Sequence, residues 1–166
     1  SGADNKVAWY ENDGASDPSF TANTISTSAN GANSVYAIDL DQDGDIDVLA
    51  TLPTDDKVVW YENDGASDPS FTANTITSSA DNVGSVFAVD LDKDGDIDVL
   101  SSSSTDDKVA WYKNDGASDP SFTAHTISST ADGANSVYAI DLDQDGDMDV
   151  LSTTYTGNRV DWYQND

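Results

Sequence analysis

A period of 51 residues governs this chain. The stretch "DLDQDGDIDVL" from Asp39 returns as "DLDKDGDIDVL" from Asp90 and as "DLDQDGDMDVL" from Asp141. A second block keeps the same step: "WYENDGASDPSFTANTI" starts at Trp9 and Trp60, "WYKNDGASDPSFTAHTI" at Trp111, and "WYQND" at Trp162. Between residues 55–76 and 106–127 three of 22 positions differ: Val59/Ala110, Glu62/Lys113 and Asn74/His125. A unit repeated this faithfully is one supersecondary module that buries its apolar surface only against its neighbours. The repeat therefore decides the architecture.

The patterning within one unit predicts four short strands. Residues 34–40, "SVYAIDL", are almost continuously apolar, as in a strand covered on both faces. Residues 46–52 follow the aspartate cluster, and residues 57–63, "KVVWYEN", carry the β-branched and aromatic side chains that fit a packed pleated surface. Residues 71–76, "FTANTI", alternate apolar with polar, which suits an outer strand. Asn-Asp-Gly and Asp-Pro-Ser mark a turn between the last two, and Ser/Asn/Gly stretches link the units. No window has a helical period.

Four strands per unit make a β-propeller blade, with a hairpin ladder or a β-solenoid as the alternative. The expected fold class is all-β, built from four-stranded antiparallel blades. Residues 1–33 form a leading half blade with its linker, 34–84 and 85–135 whole blades, and 136–166 a trailing three-strand blade. Propeller rings take about 4–8 blades. The expected partner is therefore a second copy, giving a closed ring from two sets of three blades, or the rest of a longer chain.

Charge narrows the partners further. Six Lys and Arg stand against 32 Asp and Glu, a formal charge of -26. Nucleic acid and anionic membranes both attract Lys and Arg, so this chain suits neither. No apolar run is long enough for a membrane span. Cysteine is absent, which removes disulfides and thiol sites. Cations are the natural ligands.

The aspartate cluster points the same way. Two carboxylates roughly 5 Å apart repel by about 3 kcal/mol at an effective dielectric of about 20. A hard dication removes that penalty. Calcium takes 6–8 oxygen ligands, and Asp39, Asp41, Asp43 and Asp47 stand at positions one, three, five and nine of a loop. Gly44 at position six permits the turn, and Asp45 at seven offers its main-chain carbonyl. An EF-hand opens the same way but needs Glu at position twelve between two helices. Here position twelve is Ala50, Ser101 or Ser152, and the flanks read as strands. Magnesium prefers fewer protein carboxylates, and zinc and copper lack their usual His or Cys. A hairpin turn bearing solvated charges is the alternative to a metal loop.

The Asp-x-Asp-x-Asp-Gly-x-x-Asp loop between strands, together with "VVWYENDG…FTANTI", resembles FG-GAP/VCBS repeats, the blade units also found in the integrin α-subunit propeller. The resemblance implies one Ca2+ in each hairpin between first and second strands, three in all. The side-chain ligands would be Asp39, Asp41, Asp43 and Asp47; Asp90, Asp92, Asp94 and Asp98; and Asp141, Asp143, Asp145 and Asp149. Asp45, Asp96 and Asp147 would add main-chain oxygen. A literal Phe-Gly…Gly-Ala-Pro pattern is absent, which puts the likeness on the VCBS side, away from integrin-style ligand binding.

The remaining residues carry less chemistry. The tryptophans at positions 9, 60, 111 and 162 read as core between blades, with carbohydrate stacking as the alternative. His125 reads as a surface substitution, and Tyr155 as a weak candidate for contact with a protein or glycan ligand on the face opposite the metal loops. Glu occurs only at positions 11 and 62, beside a single His, and aspartates repeated once per blade lack the asymmetry of an active site. No enzyme is expected. The reading is a calcium-stabilised structural or interaction module of an extracellular or cell-surface protein, with a lectin-like propeller as the alternative.

Overall fold

In the computed structural model, which describes residues 4–166, the backbone is a series of antiparallel sheets. Strands β1 (Val7–Asn12) and β2 (Phe20–Ser26) pair with each other. A four-stranded sheet follows: β3 (Val35–Ile38), β4 (Asp47–Leu52), β5 (Lys57–Asn63) and β6 (Phe71–Thr77), with one 3-10 turn at Pro53–Asp55. The next is β7 (Val83–Val89), β8 (Asp98–Ser103), β9 (Lys108–Asn114) and β10 (Phe122–Ser128). Three strands end the series: β11 (Ala134–Ile140), β12 (Asp149–Thr154) and β13 (Arg159–Tyr163). Every strand pairs with its sequence neighbour, and the described residues contain no α-helix. These are propeller blades, and the series does not close on itself.

Register repeats with the sequence. Leu49 faces Trp60, Leu100 faces Trp111, and Leu151 faces Trp162. Blades pack face to face, so each core is shared. Leu49, Val58 and Trp60 of one blade bury against Val83, Val86 and Val99 of the next. Leu100 and Val109 do the same with Val137 and Val150. Each such side chain contributes about 1.5–3 kcal/mol on leaving water, a gain that a solitary blade cannot make.

Two expectations need correction. First strands are not covered alike: Val35 on β3 is 62% exposed and Tyr138 on β11 48%, whereas β7 between them has no exposed residue. First strands run side by side along one edge of the series, where the rings of Tyr36, Phe87 and Tyr138 meet at a tilt with centroids 5.0 and 4.6 Å apart. Their aromatic side chains meet one another, and a face stays open only on β3 and β11. The tryptophans also divide by place. Trp60 is buried and Trp111 packs into the next blade's core, whereas Trp162, on the last blade of the series, is 46% exposed.

The linkers are docked, not loose. Ala29, Ala80 and Ala131 are all buried, and their N–H groups donate to the carbonyls of Asn5, Asp56 and Asp107 in the preceding blade. Those three acceptors have left-handed backbones (φ 54–55°), at the turn before the third strand. Each blade is thus fastened to the next at the end opposite the aspartate loops.

Candidate metal centre

Each aspartate loop joins the first strand of a blade to the second. Its shape comes from two left-handed positions. Gly44, Gly95 and Gly146 have φ near +100°, a conformation that favours glycine. Gln42, Lys93 and Gln144 at position four have φ of 61–63°. The motif pointed to the glycine and gave no sign of the second left-handed residue.

The backbone so bent gathers the first three aspartates. Asp39, Asp41 and Asp43 each bring a carboxylate oxygen within 4.8 Å of the others, and so do Asp90, Asp92 and Asp94, and Asp141, Asp143 and Asp145. Loop N–H groups fix them from outside. Gly44 donates to Asp39 Oδ2 at 3.1 Å, Asp43 to Asp41 Oδ1 at 3.2 Å, and Asp45 to Asp43 Oδ1 at 2.9 Å. The other two loops repeat the set.

One atom in each loop tests whether a cation fits. Oδ1 of Asp39, Asp90 and Asp141 is buried and accepts no hydrogen bond. A buried carboxylate oxygen without a donor is costly. Its recurrence in all three loops, beside two more carboxylates, matches the needs of a hard divalent ion. The residues fit a hard divalent cation, with the triad as its side-chain oxygens.

Positions seven and nine are placed differently. The carboxylate of Asp45 turns away from the triad and lies over Gly65, where an added Cβ would come within 2.0 Å of Oδ2. Asp96 lies over Gly116 in the same way, and Asp147 pairs with Lys93 at 2.6 Å. Asp47, Asp98 and Asp149 are buried outside the triads. Asp47 accepts from the N–H of Leu40 at 3.0 Å and of Asn63 at 2.8 Å, so it clamps the loop to the third strand. Asp98 clamps Leu91 to Asn114, and Asp149 clamps Leu142 to Asn165.

Charge in the loops is uneven. Burial, followed by the neighbouring Asp43, Asp39 and Glu62, pushes Asp41 above the ordinary aspartate range. Burial and neighbouring carboxylates raise Asp143 too. In the middle loop Asp94 is held low, first by the Asp96 N–H and then by the ammonium of Lys113. Burial raises Asp47 and Asp98, whereas the Asn165 N–H dominates at Asp149 and lowers it.

Three third-strand positions belong to the site, and sequence reasoning assigned them no role. Glu62 lies near Asp41, Lys113 contacts Asp92 Oδ2 and sits 3.0 Å from Asp94 Oδ2, and Gln164 donates to Asp143 Oδ2 at 2.8 Å. The Glu62/Lys113 difference, a charge reversal between nearly identical blades, was the available signal. Neighbouring loops also touch: Gln42 donates to the Gly95 carbonyl at 2.6 Å, in the place where Lys93 reaches Asp147.

His125 stacks on Trp111 with centroids 4.7 Å apart, and Tyr155 is exposed. No curated protein matches the chain. The FG-GAP-like repeat matches three overlapping stretches, residues 1–50, 39–101 and 90–152, the last two beginning at the first aspartate of a loop. With its blades, its loops and nearly its whole length accounted for by that repeat, the chain belongs to the FG-GAP-like repeat family.

Proposed function

We propose that this chain is a calcium-binding structural and interaction module, holding one Ca2+ in the first hairpin of each blade. The observation that carries the reading is the threefold triad with a buried, undonated oxygen on its leading aspartate. Asp39, Asp41 and Asp43, and their counterparts, would hold the ion, which supplies positive charge to a loop whose own carboxylates repel. Asp47, Asp98 and Asp149 keep that loop seated on the third strand.

Stabilisation is the expected result. A ligand that binds only the folded state adds about 2.7 kcal/mol per site at a hundredfold excess over Kd. Extracellular calcium modules bind at about 10⁻⁴–10⁻³ M, so an extracellular or cell-surface setting supplies the ion. Thermal unfolding with and without excess EDTA tests the reading. Chelation is expected to lower Tm, and superimposable curves would overturn it. We propose further that the open ends of the series take more blades, from a second copy or from continuing chain.

A further inference from the structure

We infer that the three metal centres are unequal, graded by one third-strand residue, and that Lys113 is a built-in competitor that weakens the middle centre. The inference rests on the calcium reading. It goes beyond it by separating sites that the loop motif makes look identical.

The loops themselves do not differ in their ligands. Each has Asp at positions one, three, five, seven and nine and Gly at six. The carboxylates of the triads differ in what the neighbouring third strand brings to them, while Lys93 of the middle loop lies at 2.6 Å from the outward-turned Asp147 of the last loop. Glu62 brings a negative charge near Asp41, Gln164 brings a neutral amide to Asp143, and Lys113 brings a positive charge between Asp92 and Asp94. The lysine uses the same carboxylates that a cation needs, and two like charges cannot share them.

A second substitution accompanies the first. Asn74 on β6 donates to Glu62 Oε2 at 3.0 Å and holds that side chain on the sheet. At the same place in the next blade His125 stacks on Trp111 instead, and Lys113 turns to the loop. Two of the three differences between residues 55–76 and 106–127 therefore belong to one local rearrangement beside the metal loop.

The size of the effect follows from competition. A site that is competent only when Lys113 has swung out has its apparent Kd multiplied by the inverse of that fraction. An ammonium seated nine-tenths of the time weakens binding about tenfold. The order of filling is then the Glu62 centre, the Gln164 centre and the Lys113 centre.

Gly44, Gly95 and Gly146 each donate an amide to the leading aspartate of their own loop, so their amide resonances report the three centres separately. A calcium titration of the whole chain, with its variants, reads all three. Gly95 is expected to shift at calcium about tenfold or more above that for Gly44, a factor of about ten coming from the lysine alone. Lys113→Gln is expected to lower the Gly95 midpoint about tenfold, and Glu62→Lys to move Gly44 up about tenfold while leaving Gly95 unchanged. Coincident midpoints in the parent chain, unmoved by whichever variant folds, would overturn the grading and leave the calcium reading standing. No amide shift at millimolar calcium in any of the proteins would overturn both.

Discussion

Asp98 is fully buried, and both its oxygens accept main-chain N–H groups, from Leu91 on one side and Asn114 on the other. Removing the carboxylate strands both donors, and a buried donor left unpaired costs about 1–3 kcal/mol. Asp98→Ala is therefore expected to lose about 2–6 kcal/mol of stability, measured by urea unfolding in excess EDTA. Equal stability there would mean that the residue matters only through metal. Asp64 offers the reverse case, an exposed aspartate with a purely local task. The Ser70 hydroxyl, then the N–H groups of Ser70 and Ala66, hold its pKa below the ordinary value. A group lowered in the fold stabilises it above the unfolded pKa, and that help disappears as pH falls through the lowered folded value. Its carboxyl resonance should titrate below the usual aspartate midpoint, and Ser70→Ala should return it upward. Asp13 and Asp115 make the same turn with Ser19 and Ser121.

Strands at the same place in the repeat do different work according to what packs on them. Trp60 is 1% exposed and Trp162 is 46% exposed, although both face a leucine of the second strand in the same register. Trp60→Ala is expected to cost about 3–5 kcal/mol in chemical denaturation, and Trp162→Ala far less. Equal losses would show that the last blade is covered in solution. Most of this level was legible in the sequence. The strand expected over residues 57–63 coincides with β5, because Val58, Val59, Trp60 and Tyr61 run unbroken and turn residues follow Asn63. The apolar run over residues 34–40 suggests a longer and more buried strand than the fold makes. The observed strand is Val35–Ile38, since Asp39 and Leu40 already belong to the loop. Apolar periodicity reports that a side chain avoids water, not whether it meets the next sheet or its own twin, as Tyr36 meets Phe87. In the loops, spacing identified the aspartates. It could not separate the gathered triad from the clamp at Asp47, because both are aspartates on alternate positions, and only the fold brings Asn63 to one of them. The influence of Lys113 was hidden for the same reason: it lies 21 residues from Asp92 in sequence.

Apolar side chains remain open at both ends of the series, with Tyr10 64% exposed and Phe20 59% at one end and Val160 75% at the other. Closing the ring with a second copy would cover both. Light scattering of the chain in calcium is expected to give a mass of two copies, and a single-chain mass of 17.5 kDa would show that the ends do not seek each other. The shared register has a consequence of its own for folding. β5 and β9 run KVVWYEN and KVAWYKN and make matching pairs with their sheet neighbours. Each strand therefore has a decoy one period away that can satisfy nearly every backbone and side-chain contact of the right one. A newly made chain is exposed to strand exchange, within itself or between molecules. Such a trap leaves no local flaw to drive repair, so escape requires whole hairpins to come apart.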